Sequence, residues 1–87
     1  MKIDYHKNFL KNFKKRIANN PLLDSRFQKR LKIFQADPQN PVLHNHKLIG
    51  SKESYWSFSI SGDIRVIYLK KGDRILFYDI GSHNQVY

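Results

Sequence analysis

Histidine, arginine and tyrosine are the residue types in this 87-residue chain best able to do chemistry, and a few of them stand in informative places. An imidazole ordinarily titrates near neutral pH, so it can give or take a proton. Of the four histidines, His6 sits at the start of a helical pattern and reads as a surface residue. His44-Asn45-His46 invites a metal reading, but two histidines with no cysteine in the chain and no carboxylate nearby are a weak ligand set. His83 follows Gly81-Ser82 at the end of an apolar run, where a scaffold displays reactive groups. Spacing alone favours the plainer reading, a solvated imidazole at a fraying end. Arg65 interrupts the apolar run Ile64-Arg65-Val66-Ile67-Tyr68. A cation there needs a partner, either a carboxylate (Asp63, Asp79 or Glu53) or a phosphate, and the sequence does not choose. Tyr55 and Tyr87 can stack on unpaired bases or cover the edge of a core.

Charge narrows the partners. Sixteen Lys and Arg against seven Asp and Glu leave a formal charge of +9. So basic a small protein usually meets a polyanion, with plain solubility as the alternative. The excess is uneven: ten basic residues oppose three acidic ones through Asp37, and six oppose four beyond it. The lack of cysteine excludes disulfides and thiolate metal sites, and fits a reducing compartment. No apolar run approaches the ~18–20 residues of a membrane span, and Met1-Lys2-Ile3-Asp4 lacks the apolar stretch of a signal peptide, so a soluble protein kept inside the cell is expected.

The elements that must position these residues follow from period and punctuation. Residues 2–5 alternate and predict a short strand. Tyr5, Phe9, Phe13 and Ile17 recur every four residues, with Leu10 alongside, and predict a helix. Asn19-Asn20-Pro21 ends it and starts another, capped by Asn20 with Pro21 at its first position. Leu23, Phe27, Leu31 and Phe34 are the apolar stripe of this second helix, expected over 21–36 and stopped by Asp37-Pro38. Residues 39–54 read as a long irregular connection. The period then becomes two. Strands are expected at 55–61, 64–69 and 74–80, joined by turns at Ser61-Gly62-Asp63 and Lys70-Lys71-Gly72-Asp73. The expected architecture is a single α+β domain over residues 1–87: a short strand, a two-helix hairpin, then a three-stranded antiparallel meander. The helices would pack on one face of the sheet and leave the other open.

Four stretches carry a resemblance: His46-Lys47-Leu48-Ile49-Gly50, Tyr55-Trp56-Ser57-Phe58-Ser59-Ile60, Gly62-Asp63-Ile64-Arg65-Val66-Ile67-Tyr68, and Asp79-Ile80-Gly81-Ser82-His83-Asn84-Gln85-Val86-Tyr87. In this order and spacing they resemble the RelE/ParE superfamily of toxins, most of all its RelE and YafQ branches. The resemblance spans the chain and implies a RelE-like fold. It also implies a type II toxin-antitoxin toxin that cleaves messenger RNA in the ribosomal decoding site, using the RNA's own 2′-hydroxyl. The implied partners are a cognate antitoxin, messenger RNA and the bacterial ribosome, in the cytoplasm, with no membrane, metal or cofactor.

Carried over residue by residue, the resemblance makes His83 the candidate acid. His46 becomes a base or RNA-orienting group, and Asp63 a base or a residue that orients histidine. Arg65 becomes the phosphate-stabilising cation and Tyr87 the aromatic that contacts substrate. Lys47, Lys52, Tyr55 and Ser59 are expected to line the substrate. Two departures stand out. Ser59 occupies a place where some YafQ-like proteins carry a further histidine, and the lysines that RelE uses on that strand are missing. A ParE-like gyrase inhibitor is the alternative within the superfamily, and a non-catalytic RNA-binding module a third reading.

Overall fold

A computed structural model describes residues 1–50 and 54–87. The chain opens with strand β1 (Lys2–Tyr5) and helix α1 (Lys7–Arg16). His6 is not a free surface residue. It is half-buried as the N-cap of α1, its Nδ1 accepting from the Asn8 N–H at 3.0 Å and its ring 4.8 Å from that of Tyr78. Lys14, Lys15 and Arg16 fill the last turn of α1, where cations oppose the partial negative charge of the helix end. Helix α2 (Pro21–Ala36) starts as its sequence expects, with Asn20 Oδ1 accepting from the Leu23 N–H at 3.2 Å. Asp37, held extended by the proline after it, ends the helix.

The remaining elements are a 3-10 turn (Pro41–Leu43), strands β2 (His46–Lys47), β3 (Tyr55–Ser59), β4 (Ile64–Lys71) and β5 (Arg74–Ser82), and a short helix α3 (His83–Val86). Together the strands form one five-stranded sheet in the order β1-β5-β4-β3-β2. β1 runs parallel to β5 and all other pairs are antiparallel. The α+β class and the meander are as expected. The two-residue β2 adds a strand, and α3 a helix, within segments that the sequence leaves irregular.

One face of the sheet carries the core. Phe58, Ile60, Val66, Tyr68, Ile75, Phe77 and Ile80 meet Phe9 of α1, Ile17 at its C-cap, and Phe27 and Phe34 of α2. Phe34 stacks on Phe58 with ring centroids 4.6 Å apart and meets Tyr68 nearly edge-on at 5.2 Å. Leu10, placed by its spacing beside the apolar stripe, stays 55% exposed. Tyr68 also anchors the loop before β2. Its hydroxyl donates to Asn45 Oδ1 at 2.7 Å, and Asn45 Nδ2 donates to the Pro38 carbonyl at 3.0 Å. Burial pushes the Tyr68 phenol up to about 12.

β1 pairs with β5 only as far as Phe77. Beyond that point α1 serves the free edge: Asn8 Nδ2 donates to the Tyr78 carbonyl at 3.2 Å, and Arg16 Nη1 to the Ile80 carbonyl at 2.9 Å. Polar side chains of a helix thus cap a strand edge that would otherwise invite another chain. A bulge places Tyr78 as an extra residue between the pairs Ile67–Asp79 and Tyr68–Phe77.

Candidate active site

Residues paired across neighbouring strands carry their side chains on the same face, so the register shows what lies on the face opposite the core. One row reads His46, Ser57, Ile67 and Asp79; the next reads Ser59, Arg65 and Gly81. α3 follows directly on β5 and brings Tyr87 back over this face, where its hydroxyl donates to Ser57 Oγ at 2.6 Å. The face expected to be open is therefore partly covered by the chain's own end.

His83 is not at a fraying terminus. It is the first residue of α3, which a capping box closes: Ser82 Oγ accepts from the Gln85 N–H at 3.3 Å, and Gln85 Oε1 from the Ser82 N–H at 2.7 Å. The His83 ring is exposed and meets the Tyr87 ring edge-on, centroids 4.4 Å apart. Asp63, in the turn between β3 and β4, accepts from the His83 backbone N–H at 3.3 Å. Its carboxylate therefore holds the chain that carries the imidazole rather than the imidazole itself.

His46 Nδ1 lies 2.8 Å from the His44 carbonyl oxygen. A carbonyl only accepts, so Nδ1 carries the proton and Nε2 is left as the acceptor of the neutral ring. Arg65 is half-buried, and its Nη1 is fully buried without a hydrogen-bond partner among the described residues. Two of the three carboxylates that might have paired with it are committed elsewhere, and the third, Glu53, lies outside the described residues. Asp79 takes Asn12 Nδ2 at 2.7 Å and Arg16 Nη1 at 3.4 Å, and Asp63 takes His83. A charged donor left this way favours an incoming anion.

Of the residues expected along the substrate, Tyr55 faces the same side as Ser57, its ring 5.4 Å from that of Tyr78. Ser59 is buried and donates its hydroxyl to the Ser61 carbonyl at 2.7 Å, so that proton is already used. Lys47 pairs with Trp56 and so stands on the opposite face from His46. Lys52 lies outside the described residues. Ser57, which ties down Tyr87, is the residue the sequence reading passed over. The serine alternation in β3 was its only signal.

Over residues 1–87 the chain matches the family described as a bacterial toxin of a type II toxin-antitoxin system, YafQ. The chain belongs to the YafQ toxin family. A copper-bound variant of a Helicobacter pylori toxin is similar at 27% identity, covering 100% of this chain and 99% of that one, with a TM-score of 0.82. YafQ from Escherichia coli shares the fold at 23% identity, covering 98% and 96%, with a TM-score of 0.78. The same fold occurs in the Escherichia coli DinJ–YafQ complex, at 22% identity, 98% and 96% coverage and a TM-score of 0.75. No curated protein sequence matches the chain. Among the described residues of this YafQ-family toxin, no group of three or more His, Cys, Asp or Glu is placed to hold a metal ion. No described helix is long and apolar enough to cross a membrane.

Proposed function

We propose that this YafQ-family toxin acts as one domain and is an endoribonuclease that cuts messenger RNA on the ribosome, with no metal in the reaction. The observation that carries the reading is Arg65: a guanidinium with one nitrogen buried and without a partner among the described residues, on the sheet face that also holds His46 and Tyr87.

The chemistry assigns each group a task. His46 Nε2 takes the proton of the 2′-hydroxyl, whose oxygen attacks the adjacent phosphorus. Arg65 stabilises the charge that builds on the phosphoryl oxygens as the fifth bond forms. The bond from phosphorus to the 5′ oxygen breaks, and His83 gives that oxygen a proton. The products are a 2′,3′-cyclic phosphate and a 5′-hydroxyl, and solvent then returns both imidazoles to their starting forms. Tyr87 holds the His83 ring edge-on, and Asp63 fixes the first residue of α3; both position the acid. Tyr55 offers a ring face for an unstacked base.

The net charge of +9 suits a polyanionic substrate and an acidic inhibitor alike. Escherichia coli YafQ is found in complex with DinJ, which supports a cognate antitoxin for this chain in the bacterial cytoplasm. The direct test incubates the protein with a defined messenger RNA, with and without programmed ribosomes, and maps the RNA ends. Cuts in the decoding site that need the ribosome are expected. RNA left intact under both conditions would overturn the reading.

A further inference from the structure

Beside Arg65, where the turn after β3 meets α2 and the loop before β2, lies a polar hollow of about 360 Å³. Arg30, His44, Ser61 and Arg65 line it, and no Asp or Glu does among the described residues. Arg30 comes from α2, and its guanidinium is not free to wander. Nη1 donates to the Val42 carbonyl at 2.9 Å and to the Ser59 carbonyl at 3.0 Å. A guanidinium has five N–H donors. The three on Nη2 and Nε have no partner among the described residues. An arginine already ordered by two carbonyls loses little further freedom when it binds, unlike one on an open surface.

His44 has a second unusual property. It is the only non-glycine residue with positive φ among those described, at 46°. That left-handed conformation costs energy for a histidine. It turns the His44 carbonyl onto His46 Nδ1, and His44 lines the hollow. Two guanidiniums and an imidazole, with one buried guanidinium nitrogen unsatisfied among the described residues, make a site for an anion.

We infer that this hollow holds a second phosphate of the RNA strand, next to the one being cut, with Arg30 and His44 gripping it and Arg65 shared between the two. The identity of the anion's carrier rests on the RNA-cleaving reading above; the anion site itself does not.

The test measures binding of a short single-stranded RNA made uncleavable by a 2′-deoxy sugar at the cut site, across a series of salt concentrations. Each phosphate contact to a single strand contributes about 0.7 to the slope of log affinity against log salt. At about pH 5, where an ordinary imidazole carries a proton, Arg30→Gln and His44→Asn (asparagine tolerates the left-handed backbone) are each expected to flatten the slope by about that much and to weaken binding about tenfold at low salt. Arg26→Gln removes an exposed charge from the same helix outside the hollow, and should leave the slope as it was. Thermal melting checks each fold. If Arg30→Gln melts, His44→Asn alone decides.

A wild-type slope in His44→Asn and in any folded Arg30→Gln would overturn the inference, whether or not the cleavable RNA is cut. Slopes that flatten while cleavable RNA stays intact would keep the phosphate site and remove the cleavage reading. Slopes that flatten for inorganic phosphate competition but not for RNA binding would show an anion site that RNA does not use, and would also overturn it.

Discussion

Arg65 separates stability from function more sharply than any other residue of the candidate site. Its buried Nη1 lacks a partner among the described residues, so the folded protein bears the cost of desolvating a charged donor without a compensating bond. Replacing it with an apolar side chain of similar length should remove that cost. Arg65→Met is therefore expected to melt at the wild-type temperature or slightly above it, while RNA cleavage falls by about 10²–10³ through loss of transition-state charge stabilisation. A large drop in melting temperature would instead show that Arg65 is a structural residue. At this scale the sequence was only half legible. An arginine inside Ile64–Tyr68 demands a partner, but its identity depended on which carboxylates were already taken, and chain-distant side chains decide that: Arg16 and Asn12 occupy Asp79. The same holds for His46, whose tautomer is set by a backbone carbonyl two residues away and by a left-handed turn that no local pattern announces.

The elements were legible where their patterns were long. Helix α2 has a cap, a proline, a stripe of apolar residues and a stop, and each signal agrees with the others. β2 and α3 are too short for period to register, and both depend on tertiary contacts: β2 on its pairing with β3, α3 on its capping box and on Asp63. Yet these two short elements carry His46 and His83, so the least legible parts of the fold are the ones that build the site. The junction of β5 and α3 makes a further demand. A Cβ at Gly81 would lie 2.6 Å from Gln85 Oε1 and 2.7 Å from Arg16 Nη1. Neither neighbour is idle, since Gln85 closes the capping box and Arg16 serves Asp79 and the Ile80 carbonyl. Gly81→Ala is expected to cost about 1–3 kcal/mol by overpacking and to loosen α3. Equilibrium urea denaturation checks the first, and the loss of amide protection across 83–86 the second. An unchanged unfolding midpoint would mean that Arg16 and Gln85 yield freely.

For the molecule as a whole, titration behaviour follows from Tyr68, which joins the core to the loop before β2. Its phenol is raised from 10.0 to about 12 in the folded protein by burial. A raised value means that the folded state favours the neutral form, so its contribution to stability is complete below about pH 10. It is lost as the pH climbs from there toward 12. The unfolding free energy should therefore decline across that alkaline window in the wild type, and the decline should be shallower in Tyr68→Phe, which has no proton to lose. Equal declines in the two proteins would assign the alkaline loss to other groups. The overall charge of +9 and the two-layer packing of helices on a sheet were plain from composition and period, because both are sums over many residues. The measurement that bears most directly on the central claim concerns the cut itself. Wild-type protein and His83→Ala should be compared on programmed ribosomes carrying a messenger RNA with either a normal ribose or a single 2′-deoxy sugar at the mapped site. The expected result is a 2′,3′-cyclic phosphate end with wild type, no cut at the deoxy sugar, and a rate lowered about 10²–10⁴-fold in His83→Ala. Cleavage at the deoxy sugar, or an undiminished rate in His83→Ala, would contradict the account.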